Sequence, residues 1–382
     1  MQTIMTRKAL EIPPFIVMEV MERANELEKQ GQHIVHLEIG EPDFKTPACI
    51  CDAAKDAITQ GQTHYTHSLG ILPLRESICA HYQDKYGVQI SPDQVIVTSG
   101  TSPALLLLFC ALLDPGDEII LSDPHYPCYP NYAAFLGGKP VLVKGNENEG
   151  FQLDPEAIRE KISHRTKAVL INSPSNPTGN LLSPERMDAI ANLGLPVISD
   201  EIYHGLVYGQ KEHTILEYTD NAFVLNGFSK LYAMTGWRLG YVIAPIRFVR
   251  PLQKLQQNFF ISAGSISQWG GLAALRCAEE DVASMKQVYD ERRKYMIQRI
   301  RDLGFGLPVE PAGAFYVFAN AKKFGQSSYD LAFEILEKAA VGVSPGIDFG
   351  RNAEGFLRFS YASSLENIRQ GLDRIEQFLT TR

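Results

Sequence analysis

Seven short runs of β-forming residues, alternating with helical stretches, constrain the fold of this chain more than any other feature. They are Gln94–Val97, Glu118–Leu121, Pro140–Val143, Lys167–Ile171, Pro196–Ser199, Phe223–Leu225 and Gly240–Ile243. Most are apolar throughout and do not alternate. That is the pattern of strands buried on both faces, so the spacing predicts a mainly parallel, mixed sheet between layers of helices. Asp154-Pro155-Glu156 and Ser183-Pro184-Glu185 mark two of the intervening helix starts, each with a cap, a first-turn proline and an early acid. Helix is also expected over Phe15–Lys29, with a short strand at Ile34–Leu37. Beyond residue 275 the pattern changes to a charged helix over Glu279–Arg301, strands at Phe315–Phe318 and Leu357–Ser360, and a last helix over Leu365–Leu379. The expected architecture is therefore α/β. A large domain covers 46–275 and a smaller α+β domain covers 276–382, joined by an N-terminal segment, 1–45.

Composition removes several functional classes. With 36 basic and 44 acidic residues the net charge is −8, and no basic run offers a local footprint for nucleic acid. The longest apolar stretch, Ala104–Leu113, has ten residues, against roughly 20 for a membrane helix. Phe15–Met18 is too short for a signal-peptide core. Six cysteines without a C-x-x-C spacing read as free thiols in a reducing cytoplasm, not as zinc ligands. His64 and His67 have metal-like spacing but no nearby carboxylates, which favours surface or hydrogen-bonded histidines. Neither a dinucleotide-binding nor a P-loop glycine pattern occurs.

Four segments carry candidate chemistry, each at the end of an expected strand, where open α/β sheets bind ligands. In Ser229–Gly240, Lys230 stands among Phe228, Leu231, Tyr232 and Trp237. Such surroundings favour the neutral, nucleophilic amine, although a snorkelling lysine gives the same pattern. Asp200 closes an apolar strand and needs a cation or several donors, unless it only caps a helix. Asn176-Pro177-Thr178-Gly179 is a turn. Gly100–Pro103 leads into the apolar helix, with Ser102 as expected cap and Pro103 as first residue. That arrangement serves simple capping or an anion such as phosphate.

Taken in order, these segments resemble the class I and II aminotransferases, the fold-type I enzymes that use pyridoxal 5′-phosphate. Further matching stretches are Leu37–Phe44, His64–Thr66, Leu113–Asp117, Pro124–Pro127, Pro311–Tyr316 and Leu357–Ser360, so the resemblance spans nearly the whole chain. It implies that Lys230 binds the cofactor aldehyde and serves as proton-transfer base and acid, while Asp200 faces the pyridine nitrogen. Tyr203 and Asn176 match the pair at the cofactor's phenolic oxygen, and Tyr126 matches the residue stacked on its ring. Thr101, Ser102, Ser229 and Arg238 match the phosphate cup. Tyr65 matches a tyrosine that completes the neighbouring subunit's site, which implies a homodimer. Arg358, with Gly40, matches the clamp for the substrate α-carboxylate; Tyr126 and Asn176 border the same substrate.

The implied reaction is ping-pong transfer of an α-amino group from an L-amino acid to a 2-oxo acid. The N-terminal lid, Pro13–Met18, and the helix stretch Leu105–Cys110 offer no charge for a second carboxylate. The expected donor is therefore neutral, aliphatic or aromatic; an aspartate aminotransferase and a C–S β-lyase on the same fold are the alternatives. A ligand-sensing regulator would need a basic DNA-binding module, for which the segment ahead of the lid is too short.

Overall fold

The computed structural model describes residues 4–381; the outermost residues of the expected divisions, 1–3 and 382, lie outside them. Its twelve strands are β1 (Val35–His36), β2 (Val95–Thr98), β3 (Glu118–Asp123), β4 (Lys139–Lys144), β5 (Thr166–Asn172), β6 (Val197–Asp200), β7 (Ala222–Gly227), β8 (Gly240–Ile243), β9 (Tyr316–Asn320), β10 (Val341–Gly342), β11 (Ser344–Pro345) and β12 (Phe356–Ser360). Each of the seven expected runs is a strand, and together they form one sheet in the order β2-β8-β7-β6-β5-β3-β4. Pairing is parallel from β7 through to β4, whereas β8 runs antiparallel to both β7 and β2.

Burial explains why the strands read as unbroken apolar runs. Val95, Val97, Ile120, Val169, Ile171, Val197 and Val224 pack on one face. Their neighbours Ile96, Ile119, Leu121, Leu170, Ile198 and Leu225 pack on the other. Period-two alternation thus assigns residues to two cores, not to core and solvent.

Strand direction positions the site. Both β2 and β7 oppose β8, so β2 runs with the parallel set and all of their C-terminal ends share one edge. That edge receives Gly100 after β2, Tyr126 after β3, Asn176 after β5, Asp200 at the end of β6 and Lys230 after β7. Because β8 begins there, Arg238 arrives at the same edge from the opposite direction.

The antiparallel sheet β11-β12-β9 and the parallel pair β1-β10 lie on the other side of that edge. The Ser360 amide donates to the Leu37 carbonyl at 2.7 Å, tying the segment after β1 to β12. Helices Glu279–Asp302, Ser328–Ala339 and Leu365–Thr381 contribute to the core around these strands.

One helix start departs from expectation. The apolar helix spans Thr101–Leu112 with Gly100 as its cap and no side-chain capping bond, so Ser102 and Pro103 lie inside the first turn. Gly100 has φ +100°, a conformation that turns the chain two residues earlier than a serine cap would. Pro103 is tolerated there because first-turn amides have no intrahelical acceptor. Asp154 and Ser183 cap their helices as expected.

Candidate active site

Between the sheet edge and the smaller sheet lies a cavity of about 480 Å3. Every site residue expected from the sequence lines it, with one exception: Tyr65 lies elsewhere on the surface and is 82% exposed.

Lys230 reaches into the cavity and donates from Nζ to the Gly40 carbonyl at 2.6 Å. It is not a snorkelling surface lysine. Burial lowers its pKa to about 8, helped by the nearby Arg358 and Arg238 and opposed by Glu41 and Asp200. A substantial fraction of the amine is therefore neutral at physiological pH.

Asp200 is 7% exposed. Its Oδ2 accepts the Tyr129 hydroxyl at 2.7 Å and its Oδ1 the Ile202 amide at 3.1 Å. No helix follows, so the helix-cap alternative fails; the Ile202 contact belongs to a local turn. Burial raises the carboxyl to about 6 despite these two donors. A buried carboxylate so placed fits a cation such as a protonated ring nitrogen.

Arg358 is 3% exposed. Its Nη1 donates to Asn176 Oδ1 at 2.9 Å, and its Nη2 donates to the Glu38 carbonyl at 2.6 Å and Ser344 Oγ at 3.0 Å. All three acceptors are neutral, and buried Nε has no hydrogen-bond partner. The guanidinium lies 4.3 Å from the Tyr316 ring centroid and 4.8 Å from that of Phe349. It is a held cation with no hydrogen-bonded anion, suited to a ligand carboxylate.

Tyr203 and Tyr316 share a hydroxyl–hydroxyl bond of 2.8 Å. A Cβ on Gly40 would overlap the Tyr316 hydroxyl, so only glycine brings the backbone this close. The bidentate pair of Arg292 with Asp43, at 2.7 and 3.0 Å, fixes the loop that carries Gly40.

At the opposite end, Thr101 and Ser102 at the helix start meet Ser229 and Arg238. Helix polarity, hydroxyls and a guanidinium make this end an anion cup. A Cβ on Gly100 would lie 2.8 Å from Arg238 Nη2, so glycine again permits the approach. Tyr126 stands edge-on to Phe15, with ring centroids 6.0 Å apart.

Sequence reasoning missed Tyr129, Tyr316, Asn172 and Ser344. Asn172 carried a usable signal, because it is a polar residue ending an apolar strand and sits in register with Asp200. Its Nδ2 donates to the Asp200 carbonyl at 2.9 Å, and its Oδ1 accepts the Asn176 amide at 2.8 Å. Tyr316 stood in a matching stretch without a role. Nothing in the sequence pointed Tyr129 at Asp200 or Ser344 at Arg358.

The cavity thus combines an anion cup, a buried carboxylate, a lysine with a lowered pKa and an arginine awaiting an anion. These groups fit the phosphate, ring nitrogen and aldehyde of pyridoxal phosphate and the carboxylate of an amino acid.

Comparison with known proteins agrees. The family model for aminotransferase class I and II matches residues 32–375. A (5-formylfuran-3-yl)methyl phosphate transaminase of Methanocaldococcus jannaschii is 42% identical, covering 98% of this chain and 99% of the relative. An aspartate aminotransferase of Pyrococcus horikoshii is 40% identical over 95% of this chain and 94% of its own. The solved aspartate aminotransferase from Thermus thermophilus with maleate superposes with a TM-score of 0.94 at 36% identity, covering 99% and 100% of the two chains. The chain belongs to the class I and II aminotransferases, and the enzyme's cofactor is pyridoxal 5′-phosphate.

Proposed function

We propose that this enzyme takes the α-amino group from a neutral, bulky L-amino acid, aliphatic or aromatic, and passes it to a 2-oxo acid in a ping-pong reaction. One observation carries the donor class. Among the described residues lining the cavity the cations are Lys230, Arg238 and Arg358, each with a role already, while Phe15, Val17, Met18, Met21 and Ile39 form an apolar wall. A second carboxylate would meet that wall unpaired, at a desolvation penalty of several kcal/mol.

The residues divide the work. Bound pyridoxal phosphate supplies the electron sink that acidifies the substrate Cα–H. Lys230, neutral at Nζ, would take that proton from Cα and deliver it to C4′ of the cofactor, two atoms away. The Asp200 carboxylate holds a proton on the ring nitrogen, and Tyr129 holds Asp200. Tyr203 and Asn176 donate toward the phenolic oxygen, and Tyr126 covers the ring. Thr101, Ser102, Ser229 and Arg238 bind phosphate. Arg358 binds the α-carboxylate bidentately beside Gly40 and orients Cα toward Lys230.

The wall predicts kcat/KM at least about tenfold higher for phenylalanine, tyrosine or leucine than for aspartate, by analogy with the discrimination that one unpaired polar group gives. Steady-state assays over that panel decide it. A preference for aspartate would support the second reading, which the names of the Pyrococcus and Thermus relatives favour.

We also propose a homodimer in which Tyr65 reaches the phosphate cup of its partner. Its exposure, shared with Ile58, Leu72, Phe259 and Ile261, fits a surface covered in an assembly. Mixing Tyr65→Ala and Lys230→Ala proteins under exchange conditions then restores one intact site per hybrid dimer. Activity above the sum of the separate proteins at limiting cofactor is expected; strictly additive activity would refute the shared site.

The division into 46–275 and 276–382 plus the N-terminal segment is supported by the β1–β10 pairing. No helix among the described residues is long and apolar enough to cross a membrane. Six cysteines without a disulfide are consistent with the cytoplasm.

A further inference from the structure

The helix Ile16–Lys29 carries Val17, Met18 and Met21 of the apolar wall, yet its own cap residue, Phe15, offers no side-chain hydrogen bond. The missing acceptor comes from far along the chain. Asp348 Oδ1 accepts the Ile16 amide at 3.1 Å and its Oδ2 the Val17 amide at 3.2 Å, across more than three hundred residues of sequence. An anion bridging two first-turn amides is the favoured partner of a helix N-terminus.

The base of this contact is tied down on every side. Phe349, next in sequence, lies 4.8 Å from the Arg358 guanidinium, and its carbonyl accepts the His125 amide at 2.8 Å. The Ile347 amide donates to Ser328 Oγ at 3.0 Å. Asp123 accepts the Asn352 amide at 3.1 Å through Oδ1. Val17 packs into the cluster of Phe318, Phe349 and Phe356, with Phe15 against it. Gly346–Phe349 therefore braces the carboxylate-binding arginine with one residue and the cavity wall with the one before it.

We propose that Asp348 is a positioning residue for the reaction: by capping Ile16 and Val17 it seats the apolar wall over the cavity and sets the affinity for large donors. This rests on the reading of the wall as the donor side-chain site. Asp348 does not line the cavity, so its effect should be specific to donor size.

Two variants of the holoenzyme test it, with phenylalanine and alanine as donors and amide hydrogen exchange as an independent readout. In Asp348→Ala, exchange at Ile16 and Val17 should accelerate at least about tenfold, and KM for phenylalanine should rise about tenfold, the scale of losing one good cap. Its kcat, and the KM for alanine, should stay within about twofold. Asp348→Asn keeps one acceptor oxygen and should recover part of both effects, and it carries the test if the alanine variant fails to fold. Unchanged exchange at Ile16 and Val17 would overturn the cap. Faster exchange with KM unchanged, or raised equally for both donors, would overturn the positioning role. Should the wild type prefer an acidic donor, the reading of the wall fails, while exchange and KM still judge Asp348 with that donor.

Discussion

Lys230→Ala is expected to lower turnover by at least about 10,000-fold, the upper range for losing a positioned acid–base group, here combined with loss of the covalent anchor. The structure gives the reason in one side chain. Nζ sits inside the cavity at 2.6 Å from the Gly40 carbonyl, with a pKa lowered to about 8 mainly by burial. No other lysine lines the cavity among the described residues. The sign of the pH effect follows. The reactive amine is the deprotonated one, so uptake of pyridoxal phosphate by the apoprotein should accelerate as pH rises toward about 8 and level off above it. Stopped-flow uptake across pH 6 to 10 measures this, and a rate that falls through that range would contradict it. In the apoprotein, relief of the buried ammonium should offset the Gly40 carbonyl left without its donor, so the alanine variant should stay folded with its thermal midpoint little changed. Loss of activity accompanied by unfolding would leave the assignment without support.

Arg358→Ala should divide its effect differently. The guanidinium is fixed by three neutral acceptors and by the faces of Tyr316 and Phe349, so it recognises the donor before any bond changes. Losing two charge-assisted hydrogen bonds, each about 1.5–3 kcal/mol, should reduce kcat/KM by about 100- to 10,000-fold. Most of that should appear in KM. Lysine should not restore it, because a point charge lacks the planar fork. The variant also strands Asn176 Oδ1 and the Glu38 carbonyl, so stability should fall by about 1–3 kcal/mol. Steady-state kinetics with a saturable donor, beside thermal unfolding, separates the two effects. A fall in kcat alone would show that Arg358 does not bind the carboxylate.

What the sequence made legible follows from range. The sheet was readable because strands buried on both faces must be apolar throughout, and helices such as that following Asp154 announce themselves within four residues. Lys230, Asp200 and Asn176 were readable because strand ends reach one edge by topology alone. The early start of the helix at Thr101 was missed because a Gly at φ +100° replaces the expected serine cap. Tyr129 and Ser344 act on Asp200 and Arg358 from 71 and 14 residues away. Asp348 acts on Ile16 across 332. No local pattern encodes such contacts: Ser344 meets Arg358 only through the β11–β12 register, and Tyr129 reaches Asp200 from the helix after another strand of the large sheet.

The most direct test of the account is a single half-reaction: holoenzyme titrated with phenylalanine and no 2-oxo acid present, following cofactor absorbance, 2-oxo acid and ammonia together. Transamination requires the cofactor band to convert once, with one equivalent of phenylpyruvate formed per site and no ammonia released. A cofactor band that does not convert, with no phenylpyruvate formed, would contradict it; with a donor carrying a β-thioether in the same assay, a band that survives while pyruvate and ammonia accumulate beyond one equivalent would assign the site to elimination chemistry.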